Sequence, residues 1–398
     1  MKICFIAPSY NRKECGVADY TGILADRLRN EGHETSIIAS DGHVEDSRRI
    51  KGIRIYPLGK RWGFRDYIKI SRLMKEIKPD ILHIQYQSFN CNNNPMINAL
   101  PWLLKYRFKK NKMKIIVTLH DLSAPFFMGI NARIFRKIGQ AIWLTLIMLY
   151  CDSFAMSNEY EWMIVERSMP GFLHEKIKRK FYLIPIPSSV PVLKMSENDI
   201  NLKRREMGFK ADEKAVIFFG FVRSGKGIDI LLRSMGGIIQ RGYKVKLVVL
   251  GGVYEKEYHK VMLRLSKQMG ISKNVLWTGY RSQKETSEML HTGEICVMPY
   301  EDGVATYRSS FSTVAEHGLP TITTKGKIIP KGLKDGFNVL LFEAKDNATL
   351  TRLIVSLLDD EKMRENLAKN IKRYSHTLSW ENTIRRIEKM YGMCAKEK

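Results

Sequence analysis

The chain has 398 residues, 44% hydrophobic and 27% charged, with 66 Lys and Arg against 41 Asp and Glu for a formal net charge of +25. That length and apolar content allow two or three domains with full cores, and they exclude a disordered chain. The basic excess suits a polyanionic partner, whether nucleic acid, anionic lipid or a phosphorylated substrate.

Met1-Lys2 leads straight into ICFIAP, which reads as a first strand rather than a secretory leader, so no signal peptide is expected. The loop Pro8 to Tyr20 (PSYNRKECGVADY) is long for a βα connection. Its Gly16 would let a phosphate approach the backbone closely. A helical pattern from Tyr20 to Glu31 stops at Gly32. Strands are expected near Lys2–Pro8, Glu34–Ala39, Gly52–Leu58, Ile81–Tyr86, Lys114–His120, Ser153–Ser157 and Phe181–Pro185, with helical patterns between many of them.

The strand KIIVTLH ends in His120-Asp121. A histidine at the carboxyl end of a parallel strand can donate a hydrogen bond to a sugar hydroxyl or to a developing charge. The structural alternative is a histidine satisfied by Asp121. Residues 101–140 hold nine cations against Asp121 alone, interleaved with Trp102, Tyr106, Phe108, Phe126, Phe127 and Phe135. Cations beside aromatics suit the headgroup level of an anionic bilayer, and they equally suit amphipathic helices with solvated basic faces. The apolar run Ala141 to Cys151 is too short to span a membrane and reads as a buried helix.

The stretch Ile186-Pro187-Ser188-Ser189-Val190-Pro191 is punctuated by proline and reads as a linker. The predicted division is therefore 1–187, then 188–370, with 371–398 as a helix crossing back to the first domain. A polar helix is expected from Ser196 to Met207. A second series of strands follows near Ala215–Phe221, Val245–Gly251, Asn274–Thr278, Ile295–Pro299, Thr321–Thr324 and Val339–Phe342. Strand and helix alternating at this spacing imply doubly wound parallel sheets. The six cysteines form no CxxC pair, which argues against zinc and a disulfide framework and for a reducing cytoplasm.

The most informative segment is FFGFVRSGKGIDILL, Phe218 to Leu232. A buried strand, a short loop Arg223-Ser224-Gly225-Lys226-Gly227 and a helix N-terminus make an anion site from N–H groups, helix dipole and two cations. The ordinary alternative is a βα turn with two solvated cations. A second rich loop follows the strand ending at Pro299, with Glu301, Asp302 and Arg308. Ser309 or Ser310 is the natural N-cap for a helix Phe311 to His317. Glu316 is placed either to accept bonds from ribose hydroxyls or to be a solvated helix residue. No GxGxxG is present, which counts against a dinucleotide site.

Taken together, ICFIAP…CGVADYTGILADRLRNEGHE, KPDILHIQYQ, KIIVTLHD, CDSFAMSNEYE, LIPIPSS, FFGFVRSGKGIDILL, VVLGG, VLWTGY, ICVMPY, HGLPTITT and SWENTIRRIEKMY resemble the nucleotide-sugar glycosyltransferases of the GT-B fold, specifically the large retaining family numbered four. The resemblance implies an α/β chain of two Rossmann-like, doubly wound parallel-sheet domains facing a central cleft. It implies that Gly16 lies under the donor diphosphate, that His120 faces the transferred sugar, and that Lys226 is the phosphate-binding lysine. The family's usual arginine follows the glycine corresponding to Gly220; here Phe221 takes that place and Arg223 stands two residues on. The family's two glutamates eight apart fall on Ala305 and Thr313, so Glu316, Glu301 and Asp302 are the acidic residues left to replace them. A subgroup with a DGxxxR-x-S loop is similar to Asp302-Gly303…Arg308-Ser309-Ser310, which implies a variant donor loop.

The expected activity is transfer of a sugar, with retention, from a nucleoside-diphosphate sugar to a hydroxyl of a lipid-linked or polysaccharide acceptor in cell-surface glycan synthesis. His120, Arg223 and Lys226 form the expected catalytic set; Gly16, Gly220, Asp302, Arg308, Ser309, Ser310 and Glu316 form the donor set. No cofactor and no metal are expected, because no Asp-x-Asp stands in a loop and Asp359-Asp360 reads as surface. The expected partners are the nucleotide sugar, a glycan or lipid-linked acceptor, and an anionic membrane surface through residues 101–140, with no nucleic acid. The expected location is cytoplasmic, peripheral on the inner face of the plasma membrane. A sugar-nucleotide epimerase or phosphorylase of the same fold, or a non-catalytic nucleotide-sugar-binding partner, are the alternative readings.

Overall fold

A computed structural model describes residues 1–7, 16–40, 48–50, 52–58, 63–87, 96–108, 112–121, 144–168 and 171–396. The chain forms two compact units: Met1–Pro185 with Thr383–Lys398, and Ile186–Asn382.

Among the described residues, the first unit holds eight strands: β1 (Lys2–Ala7), β2 (Glu34–Ser40), β3 (Arg48–Ile50), β4 (Ile53–Leu58), β5 (Ile81–Gln87), β6 (Lys114–Asp121), β7 (Ser153–Met156) and β8 (Phe181–Leu183). Their order is β3-β4-β2-β1-β5-β6-β7-β8. Every pair is parallel except the edge pair β3–β4. Strands covered on both faces read as continuous apolar runs, as in KICFIA and SFAM. The strand β3 is absent from the sequence reading. Three residues, two of them arginine, are too short and too charged to carry a period. The first helix, Gly16–Asn30, starts ahead of the expected Tyr20, and residues 144–150 are helical as the apolar run suggests.

The helix Trp380–Lys396 completes this unit from Thr383 onward. It buries Ile387, Met390, Tyr391 and Cys394. Its polar anchors are a 2.6 Å bond between the Tyr391 hydroxyl and His83 Nδ1, and Arg386 donating to the Leu183 carbonyl at 2.9 Å. His83 is fully buried and also contacts Thr118 Oγ1 at 2.7 Å. Burial, with a smaller push from His120, lowers its pKa to about 3, so it is neutral at pH 7.

The second unit carries six parallel strands: β9 (Lys214–Phe219), β10 (Val245–Leu250), β11 (Val275–Gly279), β12 (Ile295–Met298), β13 (Thr321–Thr324) and β14 (Leu340–Phe342). The order β11-β10-β9-β12-β13-β14 places the strand reversal between β9 and β12. In open parallel sheets ligands gather beyond the carboxyl ends at such a point.

Two boundaries differ from the sequence reading. Residues 186–191 are a packed strap, not a loose linker: Ile186, Ser188 and Val190 are buried. Ser312 Oγ donates to the Ile186 carbonyl at 2.7 Å, and the Trp380 indole donates to the Ser188 carbonyl at 2.7 Å. The first unit accordingly ends at Pro185 rather than 187. The expected return at 371 falls instead at Thr383, because helix Glu361–Ser375 buries Leu367, Ile371 and Tyr374 in the second unit. The polar helix is Glu197–Glu206, with Ser196 and Asp199 forming its capping box.

Behind the strap, His317 donates from Nδ1 to the Thr313 carbonyl at 2.8 Å and faces Ser287 Oγ at 2.8 Å through Nε2. Burial lowers its pKa to about 4, while the bond to Thr313 opposes the shift. A base whose folded pKa is depressed stabilises the fold fully above its unfolded pKa of about 6.5, and that stability drains as pH falls toward the folded value. At pH 5 the loss is expected to be about 2 kcal/mol for His317 and about as much for His83. Chemical denaturation at pH 7.5 and pH 5 checks this; His317→Gln is expected to flatten the pH dependence of the second unit.

Among the described residues, no helix is long and apolar enough to cross a membrane. Cys4, Cys151, Cys296 and Cys394 are buried and form no disulfide among the described residues; Cys15 and Cys91 lie outside the described residues.

Candidate functional site

Two loops of the second unit meet at the β9–β12 reversal. The first, Gly220–Gly227, leaves β9 and enters helix Ile228–Gln240, whose N-cap is Gly227 with φ +68° and no side-chain cap. Gly227 is obligatory there: a Cβ would lie 1.9 Å from the Pro299 carbonyl oxygen at the end of β12. Gly220 (φ +147°) packs backbone to backbone, its carbonyl 2.1 Å from where a Cβ on Gly251 would sit. The loop tip is held by Glu255, which accepts from the Ser224 amide at 3.1 Å and the Ser224 hydroxyl at 3.0 Å. The Glu301 amide donates to the Gly225 carbonyl at 3.1 Å and joins this loop to the second one, residues 299–308.

Lys226 and Arg308 come together here, 8% and 7% exposed. Both lie on the fully buried ring of Tyr300: the Arg308 guanidinium carbon at 4.0 Å from the centroid, the Lys226 Nζ at 4.8 Å. Asp302 pairs with Arg308 and accepts from the Tyr307 hydroxyl at 3.0 Å. Burial lowers the Lys226 pKa to about 7; Arg308 and Arg223 push the same way and Asp302 opposes them. Arg223 is itself exposed. Burial of Tyr300 pushes its phenol up to about 12. The arrangement concentrates positive charge beside a helix N-terminus, which is what a bound anion requires.

The helix after the second loop is Ser309–Glu316, and its N-cap is Arg308 without a side-chain cap. The expected serine cap is therefore corrected. Ser309 and Ser310 are the first helical residues, and Ser310 Oγ is 3.1 Å from the Tyr300 hydroxyl instead. Glu316 is at the other end of this helix, about 9 Å along the axis from Ser310 at 1.5 Å per residue. Of the expected set, then, Gly220, Arg223, Lys226, Asp302, Arg308, Ser309 and Ser310 gather at one place, and Glu316 does not join them. The acidic places of the family pattern are closed: Thr313 is fully buried with its hydroxyl 2.9 Å from Ser188 Oγ, and Ala305 is buried.

Three exposed aromatics stand beyond β9, β10 and β11 and were not expected: Phe221, Tyr254 and Tyr280. Phe221 and Tyr254 have centroids 6.0 Å apart, and Phe221 and Tyr280 both come within 3.6 Å of where a Cβ on Gly252 would stand. Their common position after a strand is visible in the sequence, but their convergence is not.

In the first unit, His120 Nε2 lies 2.7 Å from Gln85 Oε1, and its ring meets Tyr20 edge-on at 5.2 Å. Its partner is thus Gln85, while the Asp121 side chain lies outside the described residues. Burial lowers the His120 pKa to about 3, so the ring is neutral. Gly16 opens helix Gly16–Asn30 with open space where a Cβ would be; loop residues 8–15 lie outside the described residues.

A family model described as Glycosyl transferases group 1 matches residues 199–374, and one described as Glycosyltransferase Family 4 matches residues 15–155. The chain is 23% identical over 196 residues to a D-inositol 3-phosphate glycosyltransferase of Corynebacterium efficiens, a match spanning 48% of this chain and 45% of that protein. It is 22% identical to the glycosyltransferase MJ1607 of Methanocaldococcus jannaschii, across 98% of both. The crystal structure of HepE from Anabaena in complex with UDP and glucose shares the fold, with TM-score 0.74 and 14% identity over 99% of this chain and 100% of that one. Two family models in succession, a full-length relative and a shared fold lead to one conclusion: the chain is a glycosyltransferase of the GT-B fold.

Proposed function

We propose that this glycosyltransferase takes its sugar from a nucleoside diphosphate and passes it, with retention, to a hydroxyl of a lipid-linked or polysaccharide acceptor in cell-surface glycan synthesis. The observation that carries the donor half is the pair of buried cations, Lys226 and Arg308, beside the N-terminus of helix Ile228–Gln240. A departing diphosphate develops charge, and preorganised cations and N–H dipoles stabilise it without reorganising. Lys226, Arg308 and Arg223 fill that role, with Ser309 and Ser310 adding the start of a second helix. The related fold of HepE, solved with UDP and glucose, supports the same donor class.

Gly220 lets the β9 loop approach the donor, and the exposed faces of Phe221, Tyr254 and Tyr280 offer a stacking surface for its base. Asp302 orients Arg308. The neutral His120 serves as a hydrogen-bonding group for the transferred sugar rather than as a proton carrier, and Gly16 lies under the diphosphate. The leaving phosphate itself assists removal of the acceptor proton, in keeping with the family resemblance. No metal is required by this scheme, so activity is expected to survive EDTA.

A donor screen tests the reading. UDP, GDP and ADP are expected to split, with one raising the thermal midpoint. A ligand at 100 times its Kd adds about 2.7 kcal/mol. Turnover with the matching sugar nucleotide should follow. No shift with any of the three would sink the donor assignment, and phosphate-dependent cleavage or a free epimerised sugar would favour the phosphorylase or epimerase alternatives.

The acceptor side includes a membrane proposal. Helix Met96–Arg107 exposes Trp102 and Tyr106, and the neighbouring helix Phe64–Ile77 exposes Phe64 and Ile68. Arg107 is exposed on the first of these helices, while Lys105 is half-buried and paired with Asp152 at 2.9 Å; Lys109, Lys110 and the cations at 133–137 lie outside the described residues. Exposed aromatics close in sequence to a run of cations fit an anionic bilayer. Reversing Lys109, Lys110 and Lys112 to Glu is expected to weaken binding to phosphatidylglycerol vesicles at least tenfold, at about 1 kcal/mol per cation. Unchanged flotation would remove the membrane from the proposal.

A further inference from the structure

Tyr300 follows strand β12 and is 0% exposed, which by itself marks an ordinary core residue. Its surroundings are not ordinary. Two cations rest on its ring, Arg308 at 4.0 Å and Lys226 at 4.8 Å, and its hydroxyl meets Ser310 at 3.1 Å. One side chain thus touches three groups, Lys226 from one loop and Arg308 and Ser310 from more than eighty residues later in the chain.

Buried cations ordinarily need a carboxylate, because an unpaired buried charge is costly. Here the carboxylate acting on the pair is Asp302, whose side chain is 61% exposed and bound to Arg308 rather than to Lys226. Arg308 Nε is sealed from solvent and has no hydrogen-bond partner among the described residues. A carboxylate on each cation would hold them well, but it would occupy their N–H donors and have to be displaced by any incoming phosphate. An aromatic face attracts a cation through its quadrupole and leaves the N–H donors open.

We propose that Tyr300 is the positioning residue of the donor site: its ring takes the place of a carboxylate partner for Lys226 and, together with Asp302 and the Tyr307 ring, seats Arg308 beside it, leaving the charge of both available to a diphosphate. The inference rests on the nucleoside-diphosphate reading and adds a residue that acts through others rather than on the substrate.

A consequence concerns protonation. The charged groups facing Lys226 are Arg223 on its own loop and Arg308 and Asp302 on the other. Burial and the two arginines bring its pKa to about 7, against Asp302. The electron-rich ring favours the ammonium form, so a ring stripped of that property lowers the pKa further. Lys226 then loses its proton, and with it the attraction for phosphate, at a lower pH.

Calorimetric titration of the full chain with inorganic pyrophosphate and with UDP, from pH 6 to 8.5, tests this. Three proteins are compared: the natural chain, Tyr300→Phe, and the chain carrying pentafluorophenylalanine at position 300, which nearly keeps the outline of Phe and reverses its quadrupole. The ligand's own titration cancels in the comparison. Tyr300→Phe is expected within about threefold of the natural chain, whereas the fluorinated ring is expected to weaken pyrophosphate about tenfold or more at pH 7.5 and to shift the loss of affinity to lower pH. Equal affinity and equal pH profiles for Phe and its fluorinated counterpart would overturn the proposal. Tyr300→Leu is the second variant should the fluorinated chain not fold; it is expected to bind as weakly, and binding like Tyr300→Phe would overturn the proposal equally. A natural chain that binds neither probe refutes the nucleoside-diphosphate reading itself, a result separable from the failure of Tyr300 alone.

Discussion

Lys226→Ala is expected to lower kcat by about 100- to 1,000-fold, the range for removing one preorganised group that stabilises developing charge. The same substitution is expected to leave the thermal midpoint unchanged or slightly raised. Lys226 is 8% exposed, and burial together with Arg308 and Arg223 disfavours its charged form, so its removal relieves like-charge repulsion rather than breaking a bonded pair. Functional sites often hold such groups against the interest of stability. Melting curves and steady-state rates with the donor identified by the nucleotide screen check the two halves together. A lowered midpoint with near-normal turnover would mean that Lys226 is a structural residue and that the diphosphate is bound elsewhere.

Gly227→Ala is expected to act in the opposite sense, through the fold. The residue sits at φ +68°, where an alanine is strained by about 1–2 kcal/mol before any contact is made. The added Cβ would stand 1.9 Å from the Pro299 carbonyl oxygen. The backbone of β12 would have to move, and the Glu301–Gly225 bond that joins the two loops moves with it. A loss of about 3 kcal/mol or more is expected, together with loss of turnover. Gly225→Ala is the control, since its φ of +77° carries the strain but its Cβ would meet open space; about 1 kcal/mol is expected there. Equal denaturation midpoints for the two variants would show that the close approach to Pro299 carries no weight.

Much of the fold was legible because buried parallel strands are spelled as unbroken apolar runs. All the long strands of both sheets fall where such runs lie, and β3 was missed because an edge strand of Arg48–Ile50 needs no such run. The strap at 186–191 was read as a linker from its prolines; the serine and threonine hydroxyls that fasten it come from residues more than a hundred positions away. At the site, Lys226, Arg308 and Asp302 were visible because charged residues at strand ends stand out. Tyr300 was not, because an aromatic after a strand reads as core until Arg308 of its own loop and Lys226 of another are found on its ring. Glu316, expected to accept from ribose hydroxyls, stands at the far end of helix Ser309–Glu316 from Ser310, a separation along the helix that its sequence number already implies.

The first unit is finished by residues that follow the entire second unit in the chain, with Tyr391 seated on His83 and Cys394 against Ser153 Oγ at 2.8 Å. A ribosome therefore releases residues 186–382 before the last piece of the first unit exists. The second sheet is free to form during synthesis, while the first waits with the surface around His83 and Ser153 uncovered. At elongation rates of about 5–20 residues per second, that wait is on the order of ten seconds or more. Loss of residues 383–396 would therefore leave the first unit incomplete and the second whole.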